Sequence, residues 1–491
     1  MQRRTSAAFR IGSRSACASA AMALATALSA ADARAQVPDP TPIIPLLDPA
    51  TQNQAQQDMA RAIEIMCPNL DARAEAPDRT AAETELNIVC ANVSFNDGVT
   101  ADGDPAPVPG LGISDDALNS TLQSLNGEEL DAVQTEVQEI GGIQAGNIRA
   151  RMSALRSGVS GGLSVAGLNI GLGDRVLALD DPDRYTIVPA QFDDSFLSRL
   201  GIFVTGGFKI GDKDSTGEVD GFDFDSQGVT AGVDYRVSDQ LAFGGAVGYS
   251  ALNIDFDTTD DSPAGQELDS DSVLFSLFAT YFPTERIFVD GIATVGWSFY
   301  DAERRVVVPS ANPALPPIDD TATGDFDAFQ YGFAGDVGYE IPVRGATITP
   351  LFRLEYLAAE IDGFTESDID GSLALRYDDQ DADSFTTSLG VEGAYPISTG
   401  FGIVQPSVRA EWVHEFIDDQ DGVFIQYAND PTGTSRFEVS SEDVDQDYAV
   451  VGAAVTGTFA GGWAAFLDYE TVLALSDFDI HTINVGLRKE F

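Results

Sequence analysis

The 491-residue sequence is poor in cysteine, histidine and basic side chains. It contains 3 Cys and 2 His, and its 27 Lys and Arg face 78 Asp and Glu, which gives a formal net charge of −51 at pH 7. So few thiols and imidazoles cannot build a thiolate or imidazole metal centre, and we expect neither a metal nor a cofactor. A surface of this charge repels phosphate, which argues against nucleic acid as a partner.

Long uninterrupted apolar runs are also missing, except for a short run near the N-terminus. Several arginines within residues 1–15 precede an uncharged apolar run over residues 16–30, which is shorter than the ~20 residues of a membrane helix. The run leads to Ala33-Arg34-Ala35, an A-x-A cleavage pattern, so residues 1–35 are predicted to be a signal peptide. Removal of the signal peptide would leave Cys67 and Cys90 as the remaining cysteines. Because the exported chain enters an oxidising compartment, we predict a disulfide between them. Two reduced cysteines, or pairing between molecules, are the alternatives.

From residue 200 onward the sequence alternates with a period of two, which is the repeat of a β-strand. In residues 229–237, for example, Val229, Val233 and Val237 share one face, while Thr230 and Asp234 share the other. Twelve such runs follow one another. Their lengths match the ~10-residue tilted strands of a membrane barrel better than the ~5 to 6 residues usual in globular sheets. The sequence therefore predicts an all-β fold, a twelve-stranded antiparallel up-and-down barrel over residues 200–491.

Short turns alternate with long acidic loops between these runs. The short turns are 238–240, 283–285, 342–345, 396–400 and 460–462, and the loops are 211–221, 256–270, 304–324, 362–381, 417–444 and a shorter one at 475–479. Bacterial outer-membrane barrels have short periplasmic turns and longer extracellular loops, so we predict that the long loops face outward from the cell. Aromatic residues near strand ends on the apolar face fit interfacial girdles; they are Tyr235, Tyr249, Tyr281, Tyr339, Tyr395, Trp412 and Trp463. A soluble β-sandwich also alternates, but it needs neither girdles nor a signal peptide.

Several stretches carry a resemblance to a known family. They are LGIFVTGGF (200–208), GVTAGVDYR (228–236), GGAVGYS (244–250) and PSVRAEWVHEF (406–416). They resemble the C-terminal β-domain of type V autotransporters, an outer-membrane β-barrel family. The resemblance implies a barrel whose lumen is threaded by a chain segment that leads to an N-terminal passenger outside the cell. It also implies outer-membrane lipid, lipopolysaccharide, periplasmic chaperones and the barrel assembly machinery as partners.

The last strand resembles the terminal signal that the assembly machinery reads. Its apolar face consists of Ile483, Val485, Leu487 and Phe491, whereas Lys489 departs from the usual apolar or aromatic residue.

The resemblance and the helical periodicity together divide the chain into four parts. Residues 1–35 are the signal peptide, and 36–112 are a short passenger whose two helical blocks form a hairpin closed by Cys67 and Cys90. Residues 113–199 are a helical linker and pre-barrel segment, and 200–491 are the β-barrel domain. Within the linker, we predict that Asn126 caps a helix and that Gly141-Gly142 interrupts it. Either 114–160 or 192–199 is expected to occupy the pore.

The lumenal face of the predicted barrel carries charges of both signs. The predicted pore-lining residues are Asp234, Arg236, Arg353, Glu355, Arg409, Glu411, Asp468 and Glu470. Two functions fit such a lumen: an autotransporter that translocates and anchors its own short passenger at the cell surface, or a porin-like channel with a vestigial, plug-like N-terminal region. We predict no enzyme, because the passenger has no G-x-S-x-G motif and His414 lies on the lipid-facing side without a serine beside it.

Overall fold

The computed structural model describes most of the chain after residue 51. It describes residues 52–98, 106, 108–127, 132–156 and short strands between 164 and 189. From 199 to 490 it describes all but 217–219, 258–264, 368, 370–371, 418–421, 440–444 and 460–462. The predicted signal peptide and Phe491 lie outside the described residues.

Four helices precede the barrel: α1 (Gln54–Ala72), α2 (Ala81–Ser94), α3 (Asp115–Asn126) and α4 (Ala132–Arg156). The first three begin at polar caps, since the side chains of Asn53, Thr80 and Ser114 each accept a backbone N–H of the first turn. None of the helices within the described residues has the length and apolarity needed to cross a membrane.

Twelve antiparallel strands form the barrel, as the sequence predicted. They are β1 (Leu200–Lys213), β2 (Phe222–Ser238), β3 (Leu241–Phe256), β4 (Glu267–Thr284), β5 (Ile287–Val308), β6 (Ile318–Tyr339), β7 (Ala346–Ile361), β8 (Gln380–Ala394), β9 (Gly402–Glu415), β10 (Asp447–Phe459), β11 (Trp463–Leu473) and β12 (Phe478–Glu490). Each strand pairs with its neighbours in sequence, and β12 pairs with β1 through Val485 and Gly206. This last pairing closes the sheet.

The two faces of the strands differ as the period of two predicts. Large apolar side chains such as Val229, Phe275 and Leu487 point outward and are exposed, while Thr230, Ser276 and Asp468 point into the lumen and are buried. An outward belt of this kind is typical of a barrel that faces lipid.

The connections differ between the two barrel ends. At the turn end, short connections are extended by Ile341–Val343 and Ile397–Thr399, which pair with β7 and β9. At the loop end, segments of two long connections form a loop sheet of Leu375–Tyr377, Val423–Tyr427 and Phe437–Val439. Two small hairpins lie between α4 and β1: Ser164–Val165 with Leu168–Asn169, and Arg175–Leu179 with Tyr185–Pro189.

The predicted helix boundaries in the linker were wrong in two places. Asn126 ends α3 rather than starting a helix, because Gly127 adopts a left-handed conformation (φ 77°) there. Gly141 and Gly142 do not interrupt α4, which is continuous from Ala132 to Arg156. The lumen supports this helix with contacts from the surrounding strands, which outweigh the low helix propensity of glycine.

Candidate functional site: the occupied lumen and its mouth

Helix α4 lies inside the barrel. Near its middle, Gln144 donates to Ser276 on β4 (3.0 Å) and Asn147 donates to Thr230 on β2 (3.0 Å). Towards its C-terminus, Arg151 pairs with Asp234, close to where β2 ends at the turn end. Helix α4 thus runs through the lumen from the loop end, where Val133 is buried, to the turn end, where Leu155 is buried. At 1.5 Å per residue, its 25 residues extend about 37 Å, enough to cross the hydrocarbon core of a membrane.

Ion pairs fix α4 to the wall and continue around the lumen. Arg149 donates to Glu355 (2.6 Å), and Arg353 lies between Asp336 (2.8 Å) and Glu411 (3.0 Å). Further along, Arg409 pairs with Asp468 (3.0 Å) and with Glu470. All of these groups are at least partly withdrawn from solvent, where such pairs are screened less than at a surface.

Inward-facing glycines on β1 to β3 make room for the helix. A Cβ atom at Gly248 would lie 2.2 Å from Oε1 of Gln144, and a Cβ at Gly228 would lie 3.0 Å from Ile143. Closer to the turn end, Met152 and Leu155 pack in an apolar cluster with Phe203 and Phe278. The wall on this side therefore has the shape of the helix that lies against it.

A cavity of about 230 Å³ remains on the opposite side of α4. Its lining is mixed: the polar residues include Arg149, Arg353, Glu355, Glu411 and Asn484, and aliphatic side chains lie between them. A cavity of this size and polarity is suited to hold water. In the part of the chain that the structure describes, no three His, Cys, Asp or Glu side chains are grouped so that they could hold a metal ion.

Helices α1 to α3, with their connections, form a helical cap (residues 52–127) over the loop end. A disulfide between Cys67 and Cys90 joins α1 to α2, with Cα atoms 5.6 Å apart. Asn53, at the start of α1, donates to Gln123 on α3 (2.9 Å). Since α3 packs on α1, residues on both sides of the predicted boundary at 112 share one core.

The cap and the loops of the barrel share that core. Met59 of α1 and Leu122 of α3 are fully buried in the same cluster as Ile425 and Tyr427 of the loop sheet. The Tyr427 hydroxyl donates to the Met59 sulfur at 3.6 Å. The helical cap is thus packed onto the barrel rather than separated from it.

Arg304 of β5 connects the barrel, a loop and the cap. Its guanidinium donates to both carboxylate oxygens of Glu366 (2.8 and 2.6 Å) and to the backbone carbonyl of Ser124 in the last turn of α3 (2.9 Å). A cation at the C-terminal end of a helix satisfies a carbonyl that has no partner within the helix. The Ser124 hydroxyl also donates to the carbonyl of Val307 (3.1 Å), which ties α3 to the edge of β5.

A stack of four aromatic rings links the strand ends to the loop sheet. Tyr300 stacks on Phe326, Phe326 on Phe364, and Phe364 on Tyr377, each at a centroid distance of 4.6 Å. Stacked aromatics bury large areas and restrict rotation. The loop sheet therefore has a fixed position above the lumen.

Two carboxyl groups at the mouth have shifted pKa values. Burial disfavours ionisation of Asp430, but the Thr432 hydroxyl and the backbone N–H groups of Ser435 and Thr432 donate to it and hold its pKa below the ordinary value. Burial raises the pKa of Asp58 in α1, although Gln54 donates to it and Arg61 lies nearby. The first group favours folding when charged and the second when neutral.

The barrel region of the chain matches a known protein family. Residues 202–470, more than half of the chain, match the family model described as Autotransporter beta-domain. The chain belongs to the autotransporter β-domain family. It is an outer-membrane autotransporter, and its β-domain lies in the bacterial outer membrane. Translocator domains of this family are in general not enzymes.

Individual relatives of this autotransporter are distant. Outer membrane protein B of Rickettsia typhi is 23% identical over 168 residues, which cover 34% of this chain and 10% of that protein. The match thus spans about a tenth of the length of this relative. The translocator domain of the autotransporter NalP from Neisseria meningitidis is 14% identical (TM-score 0.46), with 60% of this chain and 88% of that chain covered. The β-domain of the Bordetella autotransporter BrkA is 16% identical (TM-score 0.41), with 60% and 100% covered. At these scores the structural likenesses add nothing to what the family match establishes.

The structure places the predicted lumenal residues of the autotransporter on the inner face. Seven of them belong to ion pairs: Asp234, Arg353, Glu355, Arg409, Glu411, Asp468 and Glu470. Arg236 is half-buried on the same face of β2 as Asp234. Of the two segments considered for the pore, α4 within 114–160 occupies it, and 192–198 lies outside the described residues.

The predicted assembly face and the histidines lie on the outer surface. Ile483, Val485 and Leu487 point outward from β12 and are exposed. His414 contacts Asp447 (3.0 Å) and the ring of Phe416. Arg304, Glu366 and Gln144 could not be predicted as site residues, because Arg304 and Gln144 find their partners far away in sequence. The inward glycines of GGAVGYS were the one signal that something approaches the wall there.

Proposed function

We propose that the barrel translocates its own N-terminal segment and anchors it at the cell surface, with α4 as the anchor and the helical cap as the displayed part. The position of α4 carries this proposal. A helix that enters at the loop end and leaves at the turn end connects the cap on one side of the membrane with the start of β1 on the other. The alternative, an open channel, is not favoured, because α4 fills much of the lumen.

The fit of α4 supports anchoring that is permanent. Gly228 and Gly248 leave no space for larger side chains beside the helix, and Arg149 and Arg151 pair with carboxylates of the wall. A lumen that only allowed chains to pass would gain nothing from such a specific fit. We further propose that the cap has no catalytic role, because both histidines lie on barrel strands and the cap sequence has no nucleophile motif.

Surface display can be tested with an epitope inserted between Ala76 and Pro77, in the connection of α1 to α2. Antibody should bind intact cells that carry this epitope. The same epitope in the 283–285 turn is the matched control and should be detected only after the outer membrane is permeabilised. Detection of the turn epitope, but not the cap epitope, on intact cells would overturn the proposal.

The partners follow from the position of the barrel in the membrane. We propose that outer-membrane lipid surrounds the apolar belt and that lipopolysaccharide lies around the outer rim of the barrel above it. Periplasmic chaperones would hold the chain before insertion. The barrel assembly machinery would read the final strand, whose outward residues Ile483, Val485 and Leu487 match the apolar face of such a signal.

The proposed assembly signal can be tested by a substitution of the last residue. Phe491→Asp places a charge at the end of the apolar face, so we expect less folded, heat-modifiable barrel in the outer membrane at modest expression. Lys489→Ala is the matched control, because it alters a residue that departs from the signal, and its yield should not fall. An unchanged yield of Phe491→Asp would contradict the proposed role.

A further inference from the structure

We propose that the outer loops of the barrel are a docking site for the chain's own helical cap, so that the cap stays bound without its covalent connection to α4. This inference rests on the proposed function, because it concerns the segment that the barrel displays. It goes further in naming the surface that holds that segment. The occupant is residues 52–127 of the same chain.

The surface is a continuous core and not a contact of side-chain tips. On the barrel side, Leu375, Ile425 and Val306 are completely buried, and on the cap side Met59 and Leu122 are equally buried. Water-facing protein surfaces rarely expose large contiguous apolar patches, and a loop end without the cap would present such a patch. The loops therefore need a cover, and the cap supplies it.

Polar groups fix the orientation of the cap on this surface. Arg304 donates to the Ser124 carbonyl, and the Ser124 hydroxyl donates to the Val307 carbonyl. At the tip of the β5–β6 hairpin, the N–H of Ala311 donates to the carbonyl of Leu111 (3.0 Å). Removal of the cap would break these three hydrogen bonds, and the buried Arg304 guanidinium would keep only Glu366 and the Leu373 carbonyl as partners.

The exit of the cap towards the lumen fits the loop sheet. A Cβ atom at Gly127 would lie 2.5 Å from the Tyr377 hydroxyl and 2.7 Å from Cδ1 of Leu375. The chain therefore leaves α3 directly against the loop sheet, and α4 begins in the lumen at Ala132. The cap of the same chain therefore already occupies this surface, and a cap from a second molecule would have to displace it.

The test replaces residues 128–131 with the recognition sequence of a site-specific protease in the full-length protein. The purified protein is cut in detergent, complete cleavage is verified on a denaturing gel, and the products are separated by size exclusion under native conditions. We expect the cap to elute with the barrel. Elution of the cap as a free fragment would overturn the inference.

A pair of variants relates retention to the proposed surface. Tyr427→Ala removes a buried ring from the loop sheet next to Met59, and the cut cap should dissociate at least tenfold faster. Ile88→Ala alters an exposed residue (51%) of α2 and should leave dissociation unchanged. Equal rates for the two variants would also contradict the docking site.

The outcomes separate this inference from the proposed function. If the epitope on the cap is hidden in intact cells while the cut cap stays with the purified barrel, display fails and docking stands. If the epitope is accessible and the cut cap is released, display stands and docking fails.

Discussion

Arg151 and Asp234 form an ion pair between α4 and β2 that is almost completely buried. The Nε–Oδ2 distance is 2.7 Å, and Arg151 also lies 5.5 Å from the centre of the Phe203 ring. A buried pair adds little stability compared with a well-packed apolar pair, but the loss of one partner leaves an unpaired charge and costs ~3–5 kcal/mol. The pair therefore determines where α4 lies more than how stable the barrel is.

We expect Arg151→Met to loosen α4, since Asp234 would remain as a buried charge. The variant should show higher single-channel conductance and a lower unfolding temperature of the heat-modifiable barrel. The double variant Arg151→Met with Asp234→Leu is the matched control and should recover most of the loss, because it removes both charges. Equal conductance and stability of the single and double variants would contradict the role of the pair.

The lowered pKa of Asp430 predicts that the stability of the loop sheet at the mouth depends on pH. Its pKa is lower in the folded protein than in the unfolded chain, so its contribution is complete above the unfolded value near 3.8 and is lost as the pH falls through the folded pKa. Asp430→Ala should lower the unfolding free energy of the loop sheet by ~1–3 kcal/mol at pH 7 through the lost hydrogen bonds. Thermal unfolding followed by circular dichroism at neutral pH and at about pH 3 checks both statements. Both statements would be contradicted by a variant that is as stable as the wild type at neutral pH. They would also be contradicted by a variant that loses as much stability on acidification as the wild type does.

At the scale of the elements, the outer rim of the barrel carries a row of like charges on neighbouring strands. Directly paired residues across six strands are Asp479, Asp212, Asp223, Asp255, Glu267 and Glu303. Like charges opposite each other destabilise a sheet, whereas aromatic or opposite-charge pairs stabilise it. The strands tolerate this cost, because long ladders of backbone hydrogen bonds hold them together between the rim and the turn end.

Asp223→Asn should therefore stabilise the barrel by ~0.2–1 kcal/mol at low ionic strength, because it relieves repulsion from Asp212 and Asp255. The gain should shrink in high salt, which screens charges on the surface. The matched control is Asp271→Asn, which weakens a hydrogen bond from the Tyr249 hydroxyl and should give no gain. The temperature of conversion of the heat-modifiable band, measured at both ionic strengths, distinguishes the two. If Asp223→Asn does not stabilise the barrel at low ionic strength, repulsion between these carboxylates is not the cause.

The barrel could be predicted from the sequence because its signal is local. Alternation within β2 already separates Val229 from Thr230, and the alternation of turns and loops sets the order of the strands. The packing of the cap on the loop sheet could not be predicted in this way, since Arg304 meets Ser124 and Glu366 only through the fold. The helix caps show the same limit: Asn126 is a good residue for either end of a helix, and only the conformation of Gly127 decides which end it occupies.

At the scale of the whole molecule, two apolar cores have separate roles. One lies inside the barrel near the turn end, where Met152 and Leu155 of α4 meet Phe203 and Phe278. The other lies at the mouth and includes both cysteines of the cap together with the loop sheet. The barrel itself is closed by strand pairing, although strand residues such as Phe222, Leu252 and Tyr300 contribute to the second core. Changes in the cap should consequently affect the mouth while the barrel remains folded.

The disulfide between Cys67 and Cys90 tests this separation. The bridge links residues 23 positions apart, and the chain-entropy model gives a stabilisation of ~3 kcal/mol for a loop of this length. We expect the double variant Cys67→Ser with Cys90→Ser to unfold its helical cap at a lower temperature by circular dichroism, with no change in the heat-modifiable barrel on gels. Wild-type protein treated with reductant should behave like the variant, and non-reducing mass mapping of untreated protein should recover the two peptides joined. Two free thiols in untreated protein would disprove the bridge. A barrel that melts together with the cap in the variant would show instead that the mouth supports the strands.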